Sequence, residues 1–142
     1  MSVAASVAGL LQLSDAVYKT LTDFTSKVER APKSAYSFLQ MVTEMRLALS
    51  SMSELVDNFQ MIPARRKALL QLDHLIIVLT QAVITFTDME LFLSNWPKIA
   101  AMPNSTLKRI RWALQDDKAN RIIRRLQENK ASVTMVLSII HW

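Results

Sequence analysis

One glycine in 142 residues is the feature that most constrains this chain. Tight hairpin turns need positive φ, which glycine supplies at no steric cost, and ordinary usage of about 7% would give about ten glycines. A chain whose only glycine is Gly9 is therefore predicted to be all helical. The four prolines, Pro32, Pro63, Pro97 and Pro103, fall between runs of helical period, as expected of a residue that breaks helix interiors. They divide the sequence into four long pieces. A hydrophobic fraction of 51% with 20% charged residues is a globular composition, neither disordered nor multi-span. A single domain over residues 1–142 is expected, able to remove roughly two-thirds of its unfolded surface from water.

Each piece carries an apolar stripe. In the first, Val3, Val7, Leu10, Ser14, Val17, Leu21, Phe24 and Val28 recur at steps of four and three, one helix face interrupted by a single serine. The second opens with Pro32, suited to a first helical turn, and continues with Phe38, Val42, Met45, Leu49, Met52, Val56 and Phe59. The third offers Leu69, Leu72, Ile76, Leu79, Val83, Phe86 and Leu93. Leu75, Ile77, Val78 and Ile84 make it apolar nearly all round, which predicts a helix in the middle of the molecule. The last piece has a cap candidate at Asn104 or Ser105, a short turn through Ile110 and Leu114, and a restart at Asp116. Ala119, Ile123, Leu126, Lys130, Val133, Leu137 and Ile140 follow, the lysine burying its stem. Stripes of this period on long segments with short links favour helices packed about 20° from antiparallel. The expected fold is an all-α, up-down four-helix bundle with a short extra helical turn before the last helix. The chain ends in "VLSIIHW", without a glycine cap or polar tail. With Met1 as a native start, it reads as the N-terminal module of a longer protein.

Chemistry-bearing constellations are missing. The chain has no cysteine, so disulfides and thiolate metal sites are excluded. His74 and His141 have no second His or Glu at i, i+3 or i, i+4, so neither reads as a metal ligand. Asp116 and Asp117 read as a helix cap placed well for the helix dipole. One glycine permits no Gly-rich phosphate loop, and no serine has a histidine in a recognisable arrangement. Neither enzyme activity nor a cofactor is expected.

The net charge of +5 is uneven. Residues 97–142 hold nine cations and three anions, whereas the preceding segments are close to balanced. Lys118, Arg121 and Arg125 share a helical face beside Arg124, and Lys108, Arg109 and Arg111 precede Trp112. One reading is a solvated face with internal pairs, since Asp117 with Arg121 and Arg124 with Glu128 have i, i+4 spacing. A second is attraction to an anionic leaflet, worth about 1 kcal/mol per basic residue near the surface. Nucleic acid ranks third, because no aromatics interleave the cations for stacking and no standard binding module is matched.

The opening stretch "SVAASVAGLLQL" (2–13) carries no charge. A signal peptide would place Lys or Arg before its apolar core, whereas the first charge is Asp15 and the first cation Lys19, so secretion gains no support. Met1 to Ser14 makes about 21 Å of helix, against the roughly 30 Å of a hydrocarbon core. Extension to Leu21 reaches far enough but brings in Asp15 and Lys19, which cost a few kcal/mol in lipid unless paired or facing a wet pore. The plain reading is a core helix, with a conditional membrane role left open.

Taken together, "SVAASVAGLLQL" (2–13), "APKSA" (31–35), "LDHLIIVLTQAVITF" (72–86) and "RWALQDDKANRIIRRLQENKASVTMVLSII" (111–140) resemble the HeLo-like N-terminal domain of fungal STAND (NLR-type) proteins, over the whole chain. Many members begin with an acidic residue and a proline before the serine, whereas this chain passes directly from Met1 to Ser2. The resemblance implies a helical bundle related to that of the necroptotic pseudokinase effector, serving as a cell-death executor in fungal non-self recognition. It implies that oligomerisation frees the N-terminal helix to permeabilise a membrane. By position the inserting element is Val3, Val7, Leu10, Leu11, Leu13 and Val17, with Gly9 as a point of flexibility. A downstream nucleotide-binding domain, a cytoplasmic resting state and a cell-membrane destination on activation are implied with it.

The physical expectation is a two-state switch, in which the same side chains satisfy either the bundle core or lipid at roughly 1.5–3 kcal/mol each. The alternatives are a non-lytic interaction module acting through homotypic or adaptor contacts, and a regulatory scaffold that holds the nucleotide-binding region inactive.

Overall fold

The computed structural model describes residues 3–27, 33–57, 72–103 and 105–141, with side chains over 5–27, 33–57, 74–103 and 105–139. Of the residues named above, Met1, Ser2, Val28, Pro32, Phe59, Pro63, Leu69, Asn104 and Trp142 lie outside this set, as do the side chains of Val3, Leu72, Ile140 and His141. The described residues form helices α1 (Val3–Lys27), α2 (Lys33–Asp57), α3 (Leu72–Leu93), a short α4 (Trp96–Ala100) and α5 (Thr106–His141), with no strand among them.

The α1 stripe is the buried face the heptad spacing predicts: Val7, Leu10, Ser14, Val17, Leu21 and Phe24 all point into the core. Ser14 fits there because its hydroxyl donates to the Leu11 carbonyl at 2.9 Å, which removes the cost of an unpaired buried donor. In α2, Phe38, Val42, Met45, Leu49 and Met52 are buried, joined by Ser34, Ala35, Met41 and Leu55, while Val56 is half-buried. In α5 the seam runs through Ala119, Leu126 and Val133 with Ile122, Asn129 and Val136. Ile123 and Leu137, expected in that seam, lie half-buried on its edge. Lys130 is also half-exposed, and its Nζ reaches Glu44 of α2 at 3.0 Å.

Three expectations are corrected. The third helix is not central: each long helix packs on two others, and α3 packs on α1 and α5. Its buried residues are Leu75, Val78, Leu79, Ala82, Thr85, Phe86, Met89 and Leu93, whereas Ile76 and Val83 of the predicted stripe are exposed. A pattern apolar on every side leaves the buried phase to be chosen by packing. The short helical turn is also misplaced in the sequence reading. It is α4, started by Pro97 in its first turn, and α5 runs unbroken through Ile110, Leu114 and Asp116. No proline or glycine follows Pro103, so nothing interrupts α5. Ser105 caps it, its Oγ accepting from the Lys108 amide at 3.3 Å. The Asp116 carboxylate caps nothing within α5. It accepts from the Ser34 hydroxyl at 2.6 Å, beside the N-terminus of α2, where a negative charge is favoured.

Cross-helix contacts give the directions. Asp15 meets Arg46, so α1 and α2 run antiparallel across their short link. Ser34 meets Asp116 and Glu44 meets Lys130, so α2 and α5 run parallel. Thr85 meets Asn129 and Asp88 meets Arg125, so α3 and α5 run antiparallel. The cyclic order is α1, α2, α5, α3, with α2 and α3 on opposite sides of the shared core.

Candidate functional site

Helix α1 holds the predicted inserting residues. Val7, Leu10 and Val17 are buried against α2 and α3, Leu11 and Leu13 are half-buried against the same core, and Val3 begins the helix. Gly9 is exposed, and a Cβ built on it meets nothing within 4 Å. Besides apolar packing, among the described residues α1 is tied by one ion pair: Asp15 Oδ1 lies 2.7 Å from the Arg46 guanidinium. The same guanidinium stacks 4.2 Å over the Tyr18 ring, which places it between two α1 side chains. Both carboxylate and guanidinium keep substantial exposure, so this tie is weak in water.

The structure divides the predicted basic surface. Lys118, Arg121 and Arg124 are exposed along α5, and Arg125 shares their flank but is bound to Asp88 of α3 at 2.9 Å. Lys108 is set apart, half-buried with its Nζ donating to the Ala100 carbonyl at the end of α4 at 3.1 Å. Arg109 and Arg111 are exposed but point to different sides, because two residues turn a helix by about 200°. Three ion pairs link described residues, Asp15–Arg46, Asp88–Arg125 and Glu44–Lys130, and all run between helices. The i, i+4 pairs expected within α5 are not among them, which leaves Arg121 and Arg124 facing solvent.

Two features escape the sequence reading. The first is an aromatic cluster that joins every helix. Trp96 of α4 lies 5.2 Å from Phe24 of α1, 5.8 Å from Phe38 of α2, 5.6 Å from Phe92 of α3 and 5.9 Å from Trp112 of α5. Its tilted and edge-on geometries are the favoured ones for such rings. A cleft of about 380 Å³ opens beside it between the ends of α1 and α3, with Asp23 and Lys27 on its wall.

The second is the outer face of α3. Ile76, Ile77, Val83, Ile84 and Leu91 are all exposed, with Thr80 and Thr87 between them and, among the side chains described from Ile76 to Leu91, no charged residue between these seven. Among the described residues, His74–Ala100 is the one stretch holding an 18-residue window apolar enough to cross a membrane by length and composition, with mean hydropathy 1.7 and 39% of that window buried. Helix α1 does not meet that criterion. Among the described residues no three His, Asp or Glu side chains come together as a metal-binding group.

No protein-family model matches the chain, and neither a curated protein nor a solved structure is found similar to it.

Proposed function

We propose that the chain is a membrane-targeting, cell-death-inducing signalling domain of the HeLo-like kind, an up-down four-helix bundle in its resting form. The observation that carries this reading is the position of the opening segment. Val7, Leu10 and Val17 are core residues of α1, while Gln12, Asp15, Lys19 and Asp23 occupy its exposed side. An amphipathic helix of this kind exchanges one apolar surrounding for another at small net cost. Oligomerisation concentrates several copies, and Asp15 and Lys19 then face one another or a wet lumen rather than lipid. Lys118, Arg121 and Arg124 supply the attraction to an anionic leaflet. In this reading the protein is cytoplasmic at rest, reaches the cell membrane on activation, and receives its signal from a nucleotide-binding domain downstream.

The test is leakage of a trapped dye from anionic vesicles at high protein density. Release is expected from the native chain and is expected to vanish when residues 2–13 are deleted, with the rest of the bundle checked by circular dichroism. No release from the native chain at any density would overturn the proposal. The second reading, a non-lytic homotypic or adaptor module, draws on the uncharged outer face of α3.

A further inference from the structure

The end of α1 and the junction of α3 with α4 leave between them the cleft of about 380 Å³, within the roughly 300–1,000 Å³ of sites that take small molecules. Its inner lining is apolar: Leu21 and Phe24 of α1, Leu93 of α3 and Trp96 of α4, all buried. Phe24 and Trp96 stand 5.2 Å apart with their planes at 52°, so a third ring entering the cleft adds tilted contacts of the kind such rings favour.

Charge is confined to the α1 wall of the cleft and carries both signs, while Pro97 and Ala100 across from it are uncharged. Asp23 and Lys27 are exposed, lie one helical turn apart and make no ion pair with a described residue. Acid before base at i, i+4 is the favourable order for pairing with each other, yet both stay free for a third group. That spacing sets their Cβ atoms about 6 Å apart, near enough for both side chains to reach the two charges of one small molecule. An anion at the mouth meets Lys27 but is repelled by Asp23, and a cation meets the reverse. A zwitterion satisfies both.

We infer that the cleft is a binding site for a small apolar zwitterion of the amino-acid kind. Its side chain lodges against Leu21, Phe24 and Trp96, its carboxylate meets Lys27 and its ammonium meets Asp23. Such a ligand touches α1 and the α3–α4 junction at once, so the site is complete only while α1 is seated in the bundle. A ligand that binds the seated form and not the released one stabilises the seated form by mass action. Occupancy of the cleft is therefore a brake on the release of α1. The brake rests on the functional reading above for its use, whereas the site does not. Both are tested without lipid, so their failure and that of the leakage experiment are read separately.

The probe is L-phenylalanine, with phenethylamine as its cation-only analogue and hydrocinnamate as its anion-only analogue. In proton–nitrogen correlation spectra the Trp96 indole N–H, assigned by its loss in Trp96→Phe, is expected to shift saturably. Half-saturation by phenylalanine is expected at about 1 mM, as a molecule of this size allows. Each analogue is expected to bind about threefold more weakly, since an exposed charge pair gains little in water. Asp23→Asn and Lys27→Gln change exposed side chains and keep the fold, so they separate the two charges. Asp23→Asn is expected to remove the advantage of phenylalanine over hydrocinnamate, and Lys27→Gln its advantage over phenethylamine. At tenfold above half-saturation, amide exchange through release of α1 is expected to slow about tenfold, and exchange in α5 to slow less. No saturable shift up to about 20 mM, or equal binding of the three probes to the native chain, overturns the site. Unchanged exchange in α1 at that occupancy overturns the brake.

Discussion

Asn129 Nδ2 on α5 donates a 2.7 Å hydrogen bond to Thr85 Oγ1 on α3, and both residues are buried. The Thr85 hydroxyl donates in turn to the Gln81 carbonyl at 2.9 Å. This polar link inside an apolar core fixes how far α5 slides along α3, because any other register strands the amide. Thr85→Val removes its acceptor and is expected to cost about 1–3 kcal/mol, the penalty of an unpaired buried amide. Asn129→Leu leaves Thr85 its bond to Gln81 and costs less. The double variant is expected to recover most of the loss, a coupling that a double-mutant cycle in urea reads directly.

Among the described residues Trp96 is the one ring in contact with all four long helices. Trp96→Ala is expected to destabilise by about 3–5 kcal/mol, a large share of the roughly 5–15 kcal/mol available to a domain, and to flatten the near-ultraviolet dichroism. Trp96→Phe is expected to cost less, under about 2 kcal/mol. The buried Nε1 has no hydrogen-bond partner among the described residues, so its removal offsets part of the lost packing. Equal costs for the two variants would show that the cluster is not organised around this ring.

The contrast between α1 and α3 shows what was legible in the sequence. In α1 the apolar residues stand alone against a polar background, so Val7, Leu10, Ser14, Val17, Leu21 and Phe24 could be read in register and all are buried. In α3 apolar residues fall on every side of the helix, so the spacing places Ile76 and Val83 in a core that does not contain them. The error conceals the exposed stripe, because spacing separates faces only where composition differs between them. Trp96 carries no periodic signal: its partners come from four other segments and meet only in the fold. Lys108 and Arg125 look in sequence like their neighbours, and only their contacts with Ala100 and Asp88 withdraw them from the basic surface.

Gly9 sits in the middle of the first turns of α1 with open space where a Cβ would go. Gly9→Ala is expected to stabilise the folded protein by about 0.5–1 kcal/mol through helix propensity alone, raising the melting temperature by about 2–4 °C. If Gly9 supplies flexibility for the release of α1, the same variant slows leakage from vesicles. Destabilisation on adding the methyl group would mean that the open side of Gly9 is occupied in solution.

Arg46 engages two α1 residues at once, which separates its role from that of Asp15. Asp15→Asn removes a partly exposed ion pair and is expected to cost under about 1 kcal/mol. Arg46→Ala also loses the stacking on Tyr18, worth a further 0.5–1 kcal/mol or so. Both variants loosen α1 without touching its core stripe. Amide hydrogen exchange is expected to rise in α1 more than in α5, and the protein density needed for vesicle leakage to fall. A uniform rise in exchange across all helices would mean that α1 does not open separately.

The basic flank of α5 is tested by charge removal rather than reversal, which avoids creating new repulsion. The triple variant Lys118→Gln, Arg121→Gln, Arg124→Gln takes away three exposed cations that make no ion pair with a described residue. At about 1 kcal/mol each near an anionic leaflet, partition to vesicles is expected to fall by about 100-fold, with thermal stability little changed. Lys108→Gln is the informative control. Its ammonium is held by the Ala100 carbonyl, so its loss should lower stability and leave partition nearly unaltered. Raising the salt concentration should weaken binding of the native chain and have less effect on the triple variant. Unchanged partition after removal of all three charges would identify this flank as a solvated face and nothing more.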